Sequence, residues 1–408
     1  MGRGGRYIRT AARPGSGRRR LSMVSPRNFL KNHMLGCGLG SALWGLLALS
    51  AACFLVLPGL AGLSAGSFHG LPALSAGPFV PGSVPAAGDG DFIRWVDFDV
   101  PEEVLERAFR WDVDTYQEEL HINWVELLAY LGAKYGGDFS LYRAADMDEA
   151  AARLRGGESM DAIASGMRYY PYYLEAYGAV LNGLLGLYET EIAPEDAPDF
   201  ALPTDENGRP IRDGQAVWVS KYGLKAFSPI ASGFPYSEYD DFGVSRSYGY
   251  QRRHLGHDMM GQVGTPVIAV ESGRVEALGW NQYGGWRIGI RSLDGKRYYY
   301  YAHLRKNYPY QSGLAVGSLV TAGDVIGYLG RTGYSAQENV NNIEEPHLHF
   351  GIQLIFDESQ KEGDGEIWID CYDLVRFLSL HRSEVHKVEG TKEWARTYEI
   401  RDPALAGP

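Results

Sequence analysis

The chain has 408 residues, of which 45% are hydrophobic, and this length is sufficient for two domains that each bury a core. Its formal net charge is −11, and nine basic side chains with no acidic one lie between Met1 and Lys31. Removing those nine charges leaves a formal charge of −20 on the rest, which argues against nucleic-acid binding by the folded part.

Three N-terminal segments differ in composition. Residues 1–34 form a basic tail, and residues 35–57 are an uncharged run rich in Leu, Ala and Gly. Such a run can span a hydrocarbon layer about 30 Å thick, and the basic flank predicts that the tail stays in the cytoplasm. We expect an uncleaved transmembrane signal anchor, with a cleaved secretory signal as the alternative. Residues 58–91, rich in Gly, Pro, Ala and Ser, predict a flexible linker.

Residues 92–200 predict a small all-α domain, because four stretches have helical periodicity and two Gly-Gly pairs mark helix ends. The tyrosines of the last stretch are interpreted as core residues, with a carbohydrate- or partner-binding face as the alternative. The four stretches begin at Pro101, Asn123, Met147 and Tyr169, and the last one continues to Tyr188.

Residues 214–357 predict an antiparallel β-sheet domain, since short β-branched and aromatic runs alternate with Gly and Asp turns. The C-terminal extension, residues 358–408, predicts one more strand and a helix. Of the three cysteines only Cys371 lies outside the apolar run, so we expect no internal disulfide. The chain is therefore predicted to be an α+β multidomain protein with an N-terminal transmembrane helix.

Five of the ten histidines lie close together in the sequence. In an extended strand His347 and His349 point to one face, roughly 7 Å apart. His254 and Asp258 add an imidazole and a carboxylate, and three such ligands leave the fourth tetrahedral position of a catalytic zinc open for water. A lone His-x-His pair is usually structural, but this clustering, which includes His303, favours a metal site.

The order of these motifs closely resembles that of the lysostaphin-type zinc endopeptidases, which cut peptide bonds in bacterial peptidoglycan. The resemblance covers roughly residues 225–357 and includes several Gly-rich connecting segments. Its three central motifs are His-x-x-x-Asp at 254–258, Tyr-Ala-His-Leu at 301–304 and Pro-His-Leu-His-Phe at 346–350.

The resemblance implies a β-sheet groove with zinc (Zn2+) on its floor. By position, the zinc ligands are His254, Asp258 and His349, and the catalytic imidazoles are His303 and His347. A tyrosine that assists the developing oxyanion is assigned by ungapped counting to Tyr248, with Tyr250 as the alternative.

The implied chemistry suits these residue types. Zinc lowers the pKa of bound water from about 15.7 towards about 7, and imidazoles with an unperturbed pKa of about 6.5 can accept and donate the required protons. We therefore expect a zinc endopeptidase that hydrolyses amide bonds in peptidoglycan stem peptides or cross-bridges. The resemblance and the anchor together imply a single-pass protein of a bacterial cell membrane with its C-terminal domains outside the cytoplasm.

A non-catalytic module that binds wall peptides or a partner protein in the same groove is the alternative. The presence of all three ligands and both imidazoles favours catalysis. Nothing in the periodicity specifies an oligomeric state.

Some residues near these motifs have less specific interpretations. Residues 334–346 form a longer loop than is usual in the family, and we expect it to border the groove. There it narrows the groove, adds acidic contacts to a cationic peptide, or is simply a solvated turn. His257 is interpreted as a structural residue or one that supports the ligands without binding the metal, since its side chain should face away from that of Asp258. His381 and His386 are interpreted as solvated surface histidines.

Overall fold

The structure is a computed structural model that describes residues 92–247, 251–363 and 365–406. The predicted tail, anchor and linker, and the candidate Tyr248, lie outside the described residues. Among the described residues, no helix combines the length and the apolar character needed to cross a bilayer.

The helices form mainly in the N-terminal part of the described chain. The side chain of Asn123 caps one of them by accepting hydrogen bonds from the backbone amides of Val125 and Glu126, at 2.9 and 3.2 Å. That helix ends at Gly136, whose φ of 63° is the left-handed conformation that favours glycine. The α-helices are Glu102–Thr115 (α1), Trp124–Tyr135 (α2), Ala144–Arg155 (α3), Met160–Ile163 (α4), Tyr170–Leu181 (α5) and Tyr372–Leu378 (α6).

Strands are the main regular elements of the chain from residue 185 onwards. They are Leu185–Ile192 (β1), Val217–Leu224 (β2), Ser237–Glu238 (β3), Ser245–Ser247 (β4), Gln251–Arg253 (β5), His257–Met260 (β6), Pro266–Ile268 (β7), Gly273–Asn281 (β8), Gly285–Ser292 (β9), Arg297–Ala302 (β10), Leu319–Val320 (β11), Val325–Tyr328 (β12), His347–Leu354 (β13), Ile367–Trp368 (β14), Val385–Lys387 (β15), Trp394–Arg396 (β16) and Ile400–Arg401 (β17).

The central sheet has the strand order β11-β8-β9-β10-β13-β6-β3, with β14 also paired to β13. Every pairing in it is antiparallel, which confirms the predicted sheet type. Because side chains alternate between faces, one face of β13 carries His347 and His349 and the other carries Leu348 and Phe350. The second face is packed in the core, and its buried residues include Met259, Ile288, Ile290, Tyr299, Tyr301, Leu348, Phe350, Ile352 and Leu354.

The helical part and the central sheet share one continuous hydrophobic core. Helix α6, from the C-terminal extension, packs on the helical part, with the Phe377 ring 5.6 Å from that of Phe109 and 6.0 Å from that of Trp124. Tyr177 of α5 is fully buried, as the core interpretation requires, whereas Tyr169 is exposed. The N-terminal part is thus packed against the rest of the body.

The prediction for the end of the helical stretch is wrong after Leu181. Helix α5 stops there, and residues 185–192 form strand β1, which pairs with β2 along its whole length. Strand β17, close to the end of the chain, pairs with the other side of β1 through Glu189 and Thr190. The C-terminal extension contains the predicted strand and helix, and in addition it completes this second sheet.

Candidate metal centre

The sheet register brings two of the proposed ligands opposite each other. Asp258 on β6 pairs with His349 on β13, and His349 pairs on its other side with Ala302 on β10. The small Ala302 side chain leaves room above the sheet at this position. His254 lies in the turn that precedes β6, so its imidazole reaches the same face from one side.

Three ligand atoms converge at this point, from His254, Asp258 and His349. His254 Nε2 is 3.0 Å from Asp258 Oδ1 and 2.9 Å from His349 Nδ1, and these last two atoms are 3.0 Å apart. Ligand atoms around a tetrahedral zinc with bonds of about 2.0–2.1 Å are about 3.3 Å apart. The two imidazoles and the carboxylate therefore have the composition and spacing of a zinc site with one open position.

The hydrogen bonds around His254 direct its lone pair towards the other two ligands. His254 Nδ1 lies 3.1 Å from the backbone oxygen of Asp241, which can only accept, so Nδ1 carries the proton. In the neutral imidazole Nε2 is then the unprotonated nitrogen. Such a partner fixes both the tautomer and the ring orientation of a metal ligand.

Arg246 and Asp241 form a second layer that the sequence analysis did not identify. Arg246 donates to Asp258 Oδ2 at 2.9 Å and also to the carboxylate of Asp241. The first contact occupies the Asp258 oxygen that faces away from the ligand cluster. Asp258 is therefore held in place with Oδ1 presented to the metal position.

The charges of the cluster stabilise an ionised carboxylate. Burial raises the pKa of Asp258, but hydrogen bonds from His254 and His349 outweigh it and hold that pKa well below its usual range. Burial lowers the pKa of His254, but its contacts with Asp241 and Asp258 raise it to about 9. A metal ion that binds here must therefore displace a proton from the cluster.

His303 is held beside the cluster by backbone contacts. Its φ is 62°, an uncommon value for a residue other than glycine, and its backbone amide donates to Gly284 O at 2.7 Å. Its Nδ1 donates to Thr332 O at 2.9 Å, which leaves Nε2 as the acceptor nitrogen. The Gly-rich segments around Gly284 and Gly333 fit tightly here, and a Cβ on Gly333 would lie 2.4 Å from Tyr283 O. These glycines allow the two loops to approach His303.

His347 has an equivalent arrangement. Its Nδ1 donates to Glu345 O at 2.8 Å, and its Nε2 lies 3.8 Å from Asp258 Oδ1. The ring centroid of His347 is 4.8 Å from that of His303. Burial and the neighbouring imidazoles lower the pKa of His303 well below 6.5, so this ring is neutral at pH 7. Two imidazoles in addition to the ligands thus face one cavity.

All five predicted side chains line a cavity of about 400 Å³. The loop at residues 334–346 borders it through Tyr334, Ile343, Glu344 and Glu345, as expected. Asn339 fixes the loop by accepting a hydrogen bond from Trp286 Nε1 at 2.9 Å. Since Tyr248 lies outside the described residues, its predicted role stays a prediction.

The three histidines that were assigned no role in the site, His257, His381 and His386, have different surroundings. His257 is buried on the core face of the sheet, with Nε2 3.0 Å from Glu238 Oε2, in agreement with the structural interpretation. His386 is exposed. The interpretation of His381 as a solvated residue is wrong, because its ring is stacked on Phe227 with 3.9 Å between centroids.

Three protein ligands, an open position and two further imidazoles on the floor of a β-sheet groove define a metallopeptidase type of centre. Comparison with known proteins agrees with this class. Residues 252–362 match the description "Peptidase family M23". The chain therefore contains a domain of peptidase family M23, whose members use zinc.

Several known proteins are similar to this domain, and three of them are named as endopeptidases. An L-Ala–D-Glu endopeptidase of Bacillus subtilis is 38% identical over 130 residues, which cover 32% of this chain and 38% of the relative. Lysostaphin of Staphylococcus staphylolyticus is 41% identical over 98 residues, which cover 24% of this chain and 18% of the relative. The chain thus spans less than two fifths of the length of either protein.

A solved structure, the catalytic domain of the antimicrobial peptidase lysostaphin from Staphylococcus simulans, is also similar. It is 32% identical, and the match covers 35% of this chain and 92% of that one, with a TM-score of 0.27.

Proposed function

We propose that the protein is a zinc-dependent endopeptidase that hydrolyses amide bonds in the stem peptides or cross-bridges of bacterial peptidoglycan. The observation that carries this proposal is the convergence of His254, Asp258 and His349 on one point, with the acceptor nitrogens of His303 and His347 in the same cavity. A module that only binds wall peptides has no need for this combination.

The described side chains account for the proton transfers of amide hydrolysis. Zinc supplies Lewis-acid chemistry in such a site, since it lowers the pKa of water to about 7 and polarises a carbonyl. His303 and His347 each have Nδ1 hydrogen-bonded to a backbone carbonyl, so Nε2 is free to accept a proton from water and to pass one to the departing amine. Arg246 and Asp241 hold the ligands Asp258 and His254 in place.

The substrate class is supported by the relatives. The Bacillus subtilis protein is named as an L-Ala–D-Glu endopeptidase, and another relative, from Staphylococcus capitis, is named as a glycyl-glycine endopeptidase. Both names describe enzymes that cut peptide bonds. Peptidoglycan lies outside the cytoplasmic membrane, and an anchor at residues 35–57 followed by a linker would place the catalytic body there. We therefore also propose that the protein is anchored in a bacterial cell membrane with its catalytic body outside the cytoplasm.

Substitution of His303 separates metal binding from catalysis. We expect full-length His303→Ala to bind about one zinc per chain but to lose cleavage of purified peptidoglycan by a factor on the order of 10²–10⁴, because it lacks a proton-transfer group and keeps every ligand. Metal content is measured by atomic emission, and released fragments are measured by mass spectrometry. His386→Ala, at an exposed histidine outside the cavity, is the matched control and should retain activity.

Two outcomes would contradict the proposal. Activity retained in His303→Ala would remove the role assigned to that imidazole. An unmodified protein that neither binds zinc nor releases fragments would favour the non-catalytic binding module.

A further inference from the structure

A second cavity of about 420 Å³ adjoins the zinc cavity. Arg252, Tyr300 and His349 line both cavities, so the two form one continuous groove with a proposed zinc ligand at their junction. The Tyr300 ring lies between the two parts, with its centroid 5.9 Å from that of His349 and 6.1 Å from that of Trp368. An extended peptide whose scissile bond lies at the zinc position would therefore continue into the second cavity.

Three arginines of the second cavity have no acidic partner within the described part of the chain. Among the described residues, no carboxylate oxygen lies within 4.0 Å of a side-chain nitrogen of Arg252, Arg253 or Arg287, although twelve other arginines form ion pairs. We refer to Arg252, Arg253 and Arg287 as the arginine arm. An excess of cations here is notable in a body whose overall charge is strongly negative.

Two arginines of the arm also contain a buried donor without a partner. Among the described residues, the Nε atoms of Arg252 and Arg287 are removed from solvent and have no hydrogen-bond acceptor. A buried donor without an acceptor is unfavourable. A ligand with negatively charged oxygens in the cavity would balance the charge of these guanidinium groups.

The acidic residues of the second cavity do not cancel the arginine arm. Glu366 accepts a hydrogen bond from Trp368 Nε1 at 2.7 Å, and Lys361, a fourth cation, is paired with Glu276 at 2.7 Å. Glu362 is the remaining acid on the lining. The cavity therefore has a net positive charge.

The floor of the second cavity is aromatic and shaped by glycines. Tyr298 and Tyr300 lie on the groove face of β10, and Trp368 covers Gly351 on β13, where a Cβ would lie 2.8 Å from the Trp368 ring. Flat rings of this kind provide packing surface for peptide backbone and alkyl groups. The cavity therefore combines an apolar floor with guanidinium groups at its sides.

We propose that the arginine arm binds a free carboxylate of the peptide substrate, so that the enzyme selects acidic stem peptides over uncharged cross-bridges. The guanidinium group suits this role because its planar fork matches the two oxygens of a carboxylate. This inference rests on the proposed endopeptidase function, and it specifies which class of peptide that function takes.

The test compares peptides that differ in one charge. The probes, each with an acetylated N-terminus and an amidated C-terminus, are L-alanyl-γ-D-glutamyl-L-lysyl-D-alanine, the same peptide with the glutamyl α-carboxylate also amidated, and pentaglycine. We expect the full-length zinc protein to cleave the acidic peptide with a kcat/KM at least about tenfold above that of the amidated one, through a lower KM. Added salt should reduce this difference, since it screens charges.

The variant Arg253→Met/Arg287→Met should lose most of this preference, with little change in kcat/KM for the amidated peptide. Arg252 is left unchanged because it also lines the zinc cavity. Arg274→Met, at an exposed arginine on the neighbouring strand β8, is the matched control and should behave as the unmodified protein. Circular dichroism and zinc content establish that each variant is folded.

Equal cleavage of the acidic and amidated peptides, or a preference for pentaglycine, would overturn the inference. Failure of the proposed function gives a different result. If no probe is cleaved, calorimetric titration of the same peptides still compares their affinities: preferential binding of the acidic peptide would refute only the endopeptidase activity, whereas equal affinity would overturn the inference.

Discussion

At the scale of single residues, Gly256 determines whether the His349 imidazole can occupy its position. A Cβ at Gly256 would lie 2.6 Å from His349 Cε1 and 2.7 Å from both His349 Nε2 and the backbone oxygen of Phe350. These distances are too short for real contacts, so either the imidazole or the strand would have to move. The glycine is needed for close packing beneath a metal ligand.

Gly256→Ala is therefore expected to weaken zinc binding on the order of 10–100-fold, the usual effect of disturbing a group that orients a ligand. Competition with a fluorescent zinc chelator measures the affinity. Gly223→Ala provides the control, since a Cβ at Gly223 has no atom within 4 Å. Unchanged affinity in Gly256→Ala would show that the neighbourhood of His349 relaxes freely.

The sequence is sufficient to predict the three metal ligands, but it does not reveal the groups that orient the imidazoles. His254, Asp258 and His349 are recognisable because metal ligands must be particular side chains at particular spacings. The partners of His303 and His254 are the backbone oxygens of Thr332 and Asp241, and any residue type supplies such an oxygen. Their roles are set by the approach of distant loops, which a local sequence pattern does not reveal.

At the scale of elements, the segment after α6 attaches the C-terminal extension to the body. His381 stacks on Phe227, donates from Nδ1 to Ala226 O at 2.9 Å, and accepts from the amide of Ser228 through its own backbone oxygen. Burial lowers the pKa of His381 to about 4, although the hydrogen bond to Ala226 acts in the opposite direction. The neutral ring is thus part of the packing between α6 and the segment after β2.

This shift predicts a pH dependence of the free energy of unfolding. The folded-state pKa of about 4 lies below the unfolded value of about 6.5, so between these pH values the unfolded chain binds more protons and stability falls as pH falls. Urea unfolding at pH 7 and pH 4.5 measures how much the free energy of unfolding falls between these pH values. This fall should be about 1–2 kcal/mol larger in the unmodified protein than in His381→Asn, because asparagine does not titrate in this range.

His386→Asn, at an exposed position, should leave the pH dependence unchanged. The zinc ligands titrate equally in all three proteins, so their contribution cancels in the comparison. If His381→Asn lost as much stability as the unmodified protein between the two pH values, the buried neutral state of His381 would be ruled out.

The error in the sequence-based elements has an identifiable cause. The apolar residues of α5 continue into β1, so the sequence pattern predicts one helix through both segments. A stop signal was nevertheless present, because Asn182 and Gly183 follow the last helical turn and Gly183 adopts a φ of 90°. Whether the residues after such a signal form a strand depends on their pairing partners. Strand β1 pairs with β2, the next strand along the chain, and with β17, which is distant in the sequence.

At the scale of the whole molecule, a buried arginine joins the helical part to the central sheet. Arg297 is fully buried and binds Glu271 through two hydrogen bonds, at 2.9 and 3.0 Å. It also donates to the backbone oxygen of Ala179 at the end of α5, at 2.8 Å, and Tyr299 donates to Glu271 at 2.6 Å. The last turn of the helical part is thus fixed to strand β10 by a satisfied polar network.

Arg297→Met should destabilise the folded protein by about 3–5 kcal/mol, because it leaves the buried Glu271 carboxylate without its cation. We expect the helical part and the sheet to unfold in one transition, with coincident curves from far-UV circular dichroism and tryptophan fluorescence in urea. Arg110→Met, which removes an exposed ion pair within α1, should cost less than about 1 kcal/mol. Two separate transitions would contradict this coupling.

The pairing of β17 with β1 has a consequence for biosynthesis. The ribosome makes Leu185–Ile192 long before it makes Ile400–Arg401, so one edge of the earlier strand stays open through most of translation. Unpaired strand edges are templates for association with other chains. The nascent chain therefore exposes that edge until Ile400–Arg401 has been made and can pair with it.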